Sequence, residues 1–321
     1  SPYPTPVFIV GSGRSGTTLA ASLINRFAPV HIAKETGYIS RAIGLLEQID
    51  SASSVEELVI LTNAWLKVEG WQNRASAQGF RTFQSQTGLF GAAAFIHYVW
   101  QLDSHRAWSA LKFIGDNTPG YVWAIPKLES LVENAHYIHM VRDPRDVVAS
   151  MITMRFGANN ALTAALDWQA SIGAWMAAER LVPSERRMEL RYEDLCRDPH
   201  NSLSSVAAFL GQGAEAVDAA LSPSAGEDDE FAAVAGKSHH GMLTAKLTSA
   251  RIGTFRKQLS DRDIQSVESV TQHLMPAYGY ESGRWHLSPQ MEDRRFQLAT
   301  AHAKDVAGKA KRWIRSSISG F

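Results

Sequence analysis

Gly11–Thr18 reads GSGRSGTT and directly follows the apolar run PVFIV of Pro6–Val10. The run is too short for a helix, is rich in β-branched residues and lies between proline and glycine, which predicts a buried parallel strand. From Thr17 onward, Leu19, Leu23, Ile24 and Phe27 recur at helical spacing, so a helix is expected to begin where the loop ends. A strand, a glycine loop and a helix N-terminus form an anion-holding geometry. The glycines alone fit two templates. Gly11, Gly13 and Gly16 spell the G-x-G-x-x-G of a dinucleotide site, and Gly11 with Gly16 spells the G-x-x-x-x-G of a triphosphate loop.

The other positions separate the readings. A triphosphate loop places lysine after its second glycine, to reach the β- and γ-phosphates, and then a hydroxyl for magnesium. Here Thr17 and Thr18 follow Gly16, which weakens a kinase. The dinucleotide reading gains from VHIAKE (30–35), a second predicted strand that ends near Glu35, at the spacing of a ribose-binding acid. It leaves Arg14 and the threonine pair without a task. In a third reading, backbone N–H groups of residues 13 to 18, the hydroxyls of Ser15, Thr17 and Thr18, and the Arg14 guanidinium converge on a 5′-phosphate or a sulfate.

A second anion signature lies in YIHMVRDPRDVVASM (137–151). A strand ends at Val141, Arg142 follows, and after a proline turn a helix carries Ser150. An arginine at a strand end and a serine on the next helix can converge on another phosphate of the same ligand. Further strands are expected within SALKFIGDNTPGY (109–121), AHYIHMV (135–141) and RMELRY (187–192), with helical sequence between them, the alternation of a parallel sheet. Residues 40–110 read as mainly helical, with aromatic stripes that belong to a core. Residues 222–241 read as a surface loop whose His239 and His240 are either simply exposed or line an acceptor site. Asp143 and Asp146 are expected to cap the helix or pair with neighbouring arginines rather than bind magnesium. No His, Cys, Asp and Glu spacing suggests a metal site.

With these motifs in order, the sequence resembles the sulfotransferases that use 3′-phosphoadenosine 5′-phosphosulfate (PAPS) and release 3′,5′-adenosine bisphosphate (PAP). FIVGSGRSGTTL (8–19) resembles their 5′-phosphosulfate loop and VRDPRDVVAS (141–150) their 3′-phosphate motif, while LRYEDL (190–195) and DNTPGY (116–121) resemble two further segments. The resemblance runs from about residue 6 to 257. It implies that Gly13, Arg14, Ser15, Gly16, Thr17 and Thr18 hold the 5′-phosphosulfate, that Arg142 and Ser150 hold the 3′-phosphate, and that Tyr192 supports the nucleotide. SARIGTFRK (249–257) is similar to the basic segment that closes over the 3′-phosphate, with Arg251 and Gly253 as the equivalents. AKETGY (33–38) resembles the Glu-Thr segment of the tyrosylprotein-type and related carbohydrate enzymes. The implied general base is Glu35, and Arg14 is implied to assist catalysis; no metal is implied. Some relatives carry lysine where this chain has Asn117, so the loop arginine, Lys112 or another cation would take its place.

The expected fold is therefore α/β: a P-loop-NTPase-like parallel sheet flanked by helices, with a helical acceptor-side region at about 40–110. A single domain is expected over 1–285, followed by a basic amphipathic tail at 286–321 that packs on the body or touches a membrane surface or a partner. Lysine plus arginine equals aspartate plus glutamate at 32 each, so no global field draws the chain to nucleic acid. The single cysteine, Cys196, cannot form an internal disulfide, and no stretch approaches the ~20 consecutive apolar residues that span a membrane; a cytoplasmic location is expected. Acceptors consistent with this reading are small-molecule, carbohydrate, lipid or peptide hydroxyls. A small-molecule or sugar kinase and a catalytically silent nucleotide-binding module are the alternatives.

Overall fold

The computed structural model describes residues 3–49, 52–68, 70–154, 160–222 and 249–283. His239, His240 and the tail at 286–321 lie outside the described residues. Five strands are present: β1 (Thr5–Gly11), β2 (Val30–Ala33), β3 (Phe113–Asp116), β4 (His136–Val141) and β5 (Arg187–Arg191). They form one sheet in the order β2-β3-β1-β4-β5, and every neighbouring pair is parallel. β1 is central because it is apolar on both faces: Val7, Phe8, Ile9 and Val10 are all fully buried. β3 can lie beside it because Gly115 has no side chain; a Cβ there would fall 1.6 Å from the Val7 carbonyl oxygen.

The two faces of β1 serve different layers. Phe8 and Val10 point into a core shared with Ile114, Tyr121 and Tyr137 and with the helices α2 (Tyr38–Leu46), α3 (Ala52–Val68), α4 (Ala77–Thr87) and α5 (Gly91–Asp103). The aromatic side chains of this region, among them Phe80, Phe83, Phe95 and Trp100, are buried there as core. Val7 and Ile9 face α1 (Thr17–Ile24) and the group α9 (Tyr192–Arg197), α10 (Pro199–Phe209) and α11 (Ala214–Leu221). Two more helices, α6 (Ile125–Leu131) and α7 (Pro144–Ile152), follow β3 and β4, and α8 (Ala161–Ala178) leads towards β5. Among the described residues no helix is long and apolar enough to cross a membrane.

The order of strands positions the site. β3 and β2 lie on one side of β1 and β4 and β5 on the other, so the connections leaving the C-terminal ends of β1 and β4 border a crevice where chain direction across the sheet reverses. Ligands of open parallel sheets bind at such a point.

Candidate functional site

The loop after β1 is shaped by its backbone. Gly11 has φ 148° and Gly16 φ 93°, whereas Gly13 does not need the left-handed region. The conformational demand thus falls on the two glycines of the G-x-x-x-x-G spacing. Gly16 is the N-cap of α1, with no side-chain cap and no acidic residue in the first turn, so the helix presents its uncompensated N–H groups to the loop. Arg14 takes φ 67°, a conformation that a non-glycine residue adopts at a cost and that is found at ligand clamps. The Ser15 hydroxyl is buried without a hydrogen-bond partner among the described residues. Thr17 is buried and Thr18 half-buried at the helix start.

The segments singled out in the sequence meet here. Arg14 Nε donates to Ser150 Oγ at 3.0 Å, so the loop after β1 is joined directly to α7. The two anion signatures are one contiguous surface rather than separate sites. Arg142, at the end of β4, donates from Nη1 to the Arg14 carbonyl at 3.2 Å and from Nη2 to the Arg251 carbonyl at 2.9 Å. Its guanidinium lies 4.3 Å from the centroid of the Tyr192 ring. The same ring packs on Gly16, where a Cβ would meet Tyr192 Cδ2 at 2.5 Å. Burial pushes the Tyr192 hydroxyl up to about 12, so it stays protonated at neutral pH. Arg142 Nε is buried with no partner among the described residues.

Electrostatics give the surface its sign. The Arg14 guanidinium is held below its usual range first by burial, then by the charges of Arg142 and Arg251, with Glu35 acting in the opposite direction. Three cations therefore share one half-buried site. Arg142 Nε and the Ser15 hydroxyl, both without a partner among the described residues, and the helix terminus without a side-chain cap add donors. This donor set fits a ligand carrying two anionic groups.

Glu35 stands exposed just after β2, in a loop tied to the end of β3. Thr36 N and Gly37 N both donate to Thr118 Oγ1, at 3.2 and 3.1 Å, and the Thr36 hydroxyl donates to Asp116 Oδ2 at 2.6 Å. Asp116 is fully buried, and desolvation pushes its carboxyl up to about 7 against the hydrogen bonds it accepts. The sequence marked DNTPGY as a segment but left Asp116 and Thr118 without a task.

Two expectations change. Lys112 does not reach the loop: it precedes β3, and its backbone pairs with Pro29 and Thr5 at the N-terminal edge of the sheet, opposite the site. The cations that act on one another at the site are Arg14, Arg142 and Arg251. Asn117 is buried, its Oδ1 unpartnered among the described residues. Asp143 caps α7 and pairs with Arg145, as expected. Asp146 instead accepts from Gly253 N at 2.7 Å, Phe255 N at 2.9 Å and the Thr254 hydroxyl at 3.1 Å, because one helical turn separates it from Asp143 and turns it to the segment carrying Arg251. Gly253 thus enters the site through a carboxylate on α7. Among the described residues no group of three or more His, Cys, Asp or Glu is arranged to hold a metal.

Comparisons with known proteins agree with this geometry. The "Sulfotransferase family" model matches residues 6–215. Protein-tyrosine sulfotransferase A of Caenorhabditis elegans is 24% identical over 209 residues, covering 64% of this chain and 49% of that protein. Protein-tyrosine sulfotransferase 2 of Gallus gallus is 24% identical over 210 residues, covering 64% and 50%. The chain thus aligns with about half the length of these curated relatives. The sulfotransferase domain of the Synechococcus PCC 7002 olefin synthase superposes with a TM-score of 0.51 at 24% identity, covering 88% of this chain and 97% of that one, and so shares the fold. With the family model matched across the sheet and across the loops that bring Arg14 and Arg142 together, the chain belongs to the sulfotransferase family.

Proposed function

We propose that the chain transfers the sulfuryl group of PAPS to a hydroxyl acceptor, with Glu35 as general base. The observation that carries this reading is the meeting of Arg14, Arg142 and Arg251, from three distant segments, beside the uncapped start of α1. On this reading the donor supplies an activated sulfuryl group and a 5′-phosphate leaving group. The loop residues Gly13, Arg14, Ser15, Gly16, Thr17 and Thr18 hold the 5′ end through backbone N–H groups, hydroxyls and one guanidinium. Arg142 and Ser150 hold the 3′-phosphate, Arg251 and Gly253 close over it, and Tyr192 supports the nucleotide while keeping Gly16 and Arg142 in place.

In the transfer, the acceptor oxygen forms a bond to sulfur while the bond between sulfur and the 5′-phosphate oxygen breaks. The acceptor proton passes to the Glu35 carboxylate, and the electron pair leaves on PAP. Charge gathers on the leaving oxygen and is met by the α1 N-terminus and Arg14. The electrostatic effect of Glu35 on Arg14 supports its nearness to that path. A kinase has less support, since Thr17 stands where a triphosphate loop carries lysine. The named relatives make the phenolic hydroxyl of a tyrosine-containing peptide the first acceptor to test.

The test is transfer of labelled sulfuryl from PAPS to such a peptide by the wild type and by Glu35→Gln. Loss of a general base is expected to lower kcat by about 10²- to 10⁴-fold while PAP affinity is kept. Unchanged turnover removes Glu35 from the mechanism, and nucleoside-triphosphate-dependent phosphorylation without sulfation replaces the reading with a kinase.

A further inference from the structure

Lys34 N, just before Glu35, donates to Asp103 Oδ2 at 3.3 Å, and Arg41 Nη1 donates to the Gly37 carbonyl at 3.2 Å, so the loop that carries Glu35 is held from both sides. Its backbone is captured by two hydrogen-bond relays that end on one buried carboxylate. In the first, Thr36 N and Gly37 N donate to Thr118 Oγ1, whose own proton goes to Asp116 Oδ1 at 2.5 Å. In the second, Ile39 N donates to the Tyr121 hydroxyl at 3.2 Å; that oxygen lies 3.4 Å from the Thr36 hydroxyl, which donates to Asp116 Oδ2 at 2.6 Å. Thr118 N adds a further bond to Asp116 Oδ1 at 2.7 Å. Asp116, Thr36 and Tyr121 are essentially inaccessible to solvent.

The direction of these bonds matters. A threonine hydroxyl has one proton and two lone pairs. Because Asp116 takes the Thr118 proton, both lone pairs of Thr118 are left to accept the N–H groups of residues 36 and 37. If Asp116 could not accept, the hydroxyl would be free to turn, and two buried N–H groups would lose a fixed partner. The structural demand is modest, since β2 already pairs with β3 up to Ala33 alongside Asp116. What the relays add is the fixing of residues 36, 37 and 39, the stretch immediately after Glu35.

We propose that Asp116 is the positioning residue for Glu35: through the hydroxyls of Thr118, Thr36 and Tyr121 it sets the backbone after β2, and so sets where the Glu35 carboxylate stands relative to Arg14 and the acceptor. The proposal rests on Glu35 being the base. Asp116 acts through its neighbours: the bonds it accepts come from the Thr36 hydroxyl and from the backbone and hydroxyl of Thr118.

The test uses the full chain and the variants Asp116→Asn, Thr118→Val, Thr118→Ser and Glu35→Gln, with the double variant of Asp116 and Glu35. PAP titration, kcat and KM with PAPS and a tyrosine-containing peptide, and amide hydrogen exchange at residues 36, 37 and 39 are measured. Misplacing a catalytic group by a fraction of an ångström to 1 Å costs on the order of 10- to 100-fold. Asp116→Asn and Thr118→Val are expected to lose kcat on that scale, with PAP affinity within about twofold of the wild type, and to speed exchange at residues 36 and 37. Thr118→Ser, which keeps the hydroxyl, restores both. In the Glu35→Gln background Asp116→Asn costs less than about twofold more, because the group it positions is already gone.

Multiplying losses in the double variant, a parallel fall of PAP affinity and kcat, or unchanged exchange at residues 36 and 37 overturns the proposal. If Asp116→Asn does not fold, the serine and valine pair at Thr118 decides it through the same readouts. An unaffected Glu35→Gln enzyme defeats the base assignment by itself. Hydrogen exchange then still reports whether Asp116 orders the loop, so the two failures are told apart.

Discussion

At the scale of single residues, Asp116 trades stability for order. It is buried against hydroxyls rather than cations: Thr36 and Thr118 donate to it, and Tyr38 and Tyr121 feel its charge. Its carboxyl is pushed up to about 7, above the range of an exposed aspartate. The folded chain therefore binds this proton more tightly than the unfolded chain, and the stability due to this group is present at low pH and lost as pH rises towards about 7. Asp116→Asn removes that slope. In urea unfolding at pH 5 and pH 8, the variant should gain on the wild type at the higher pH; a difference independent of pH contradicts the assignment. The signal for this residue was not legible in the sequence. An aspartate before Asn-Thr-Pro reads as a turn residue, and only the pairing of β2 with β3 brings Thr36 to it.

At the scale of elements, α7 gathers the loop after β1 and segment 253–255 through its first two turns. Asp143 caps it, Asp146 holds the backbone and hydroxyl of residues 253–255, and Ser150 meets Arg14. Removing Asp146 leaves two backbone N–H groups without their acceptor and frees the segment that presents Arg251. Asp146→Ala is expected to weaken PAP binding by about 10-fold or more through that segment, at roughly 1–3 kcal/mol for lost charge-assisted bonds. Titration of PAP into the variant checks this, and an unchanged affinity removes segment 251–255 from the site. Much at this scale was legible: the stretches read as strands place all five, and VRDPRDVVAS was legible as a strand end followed by a helix that bears Ser150. Local patterns carry that information. The target of Asp146 was not legible, because a carboxylate in a first helical turn looks like a dipole partner until the chain 107 positions later is laid across it.

At the scale of the molecule, the part beyond the sheet is fastened by a buried ionic cluster. Arg145 bonds Asp143 through Nε and Nη2, at 2.9 and 2.7 Å, and Glu268 through Nη1 at 2.6 Å, while its guanidinium lies 4.4 Å from the Phe255 ring centroid. Glu268 also accepts from Gly283 N at 2.7 Å, and the Tyr280 hydroxyl donates to Glu193 at 2.8 Å. These contacts tie residues 255–283 to α7 and α9. Breaking such a cluster from one side costs about 3–5 kcal/mol. Arg145→Ala should show that loss in urea unfolding; a change below about 1 kcal/mol would mean that the cluster is not what fastens this region.

On the proposed function the converging arginines read a ligand with both a 5′ and a 3′ phosphate. Calorimetric titration of PAP and 5′-AMP into the wild type and Arg142→Ala tests it most directly. The wild type should prefer PAP by at least about tenfold, the worth of one charge-assisted phosphate contact, and Arg142→Ala should erase most of that preference while leaving 5′-AMP binding nearly unchanged. Equal losses for the two ligands, or no preference for PAP in the wild type, would contradict the account.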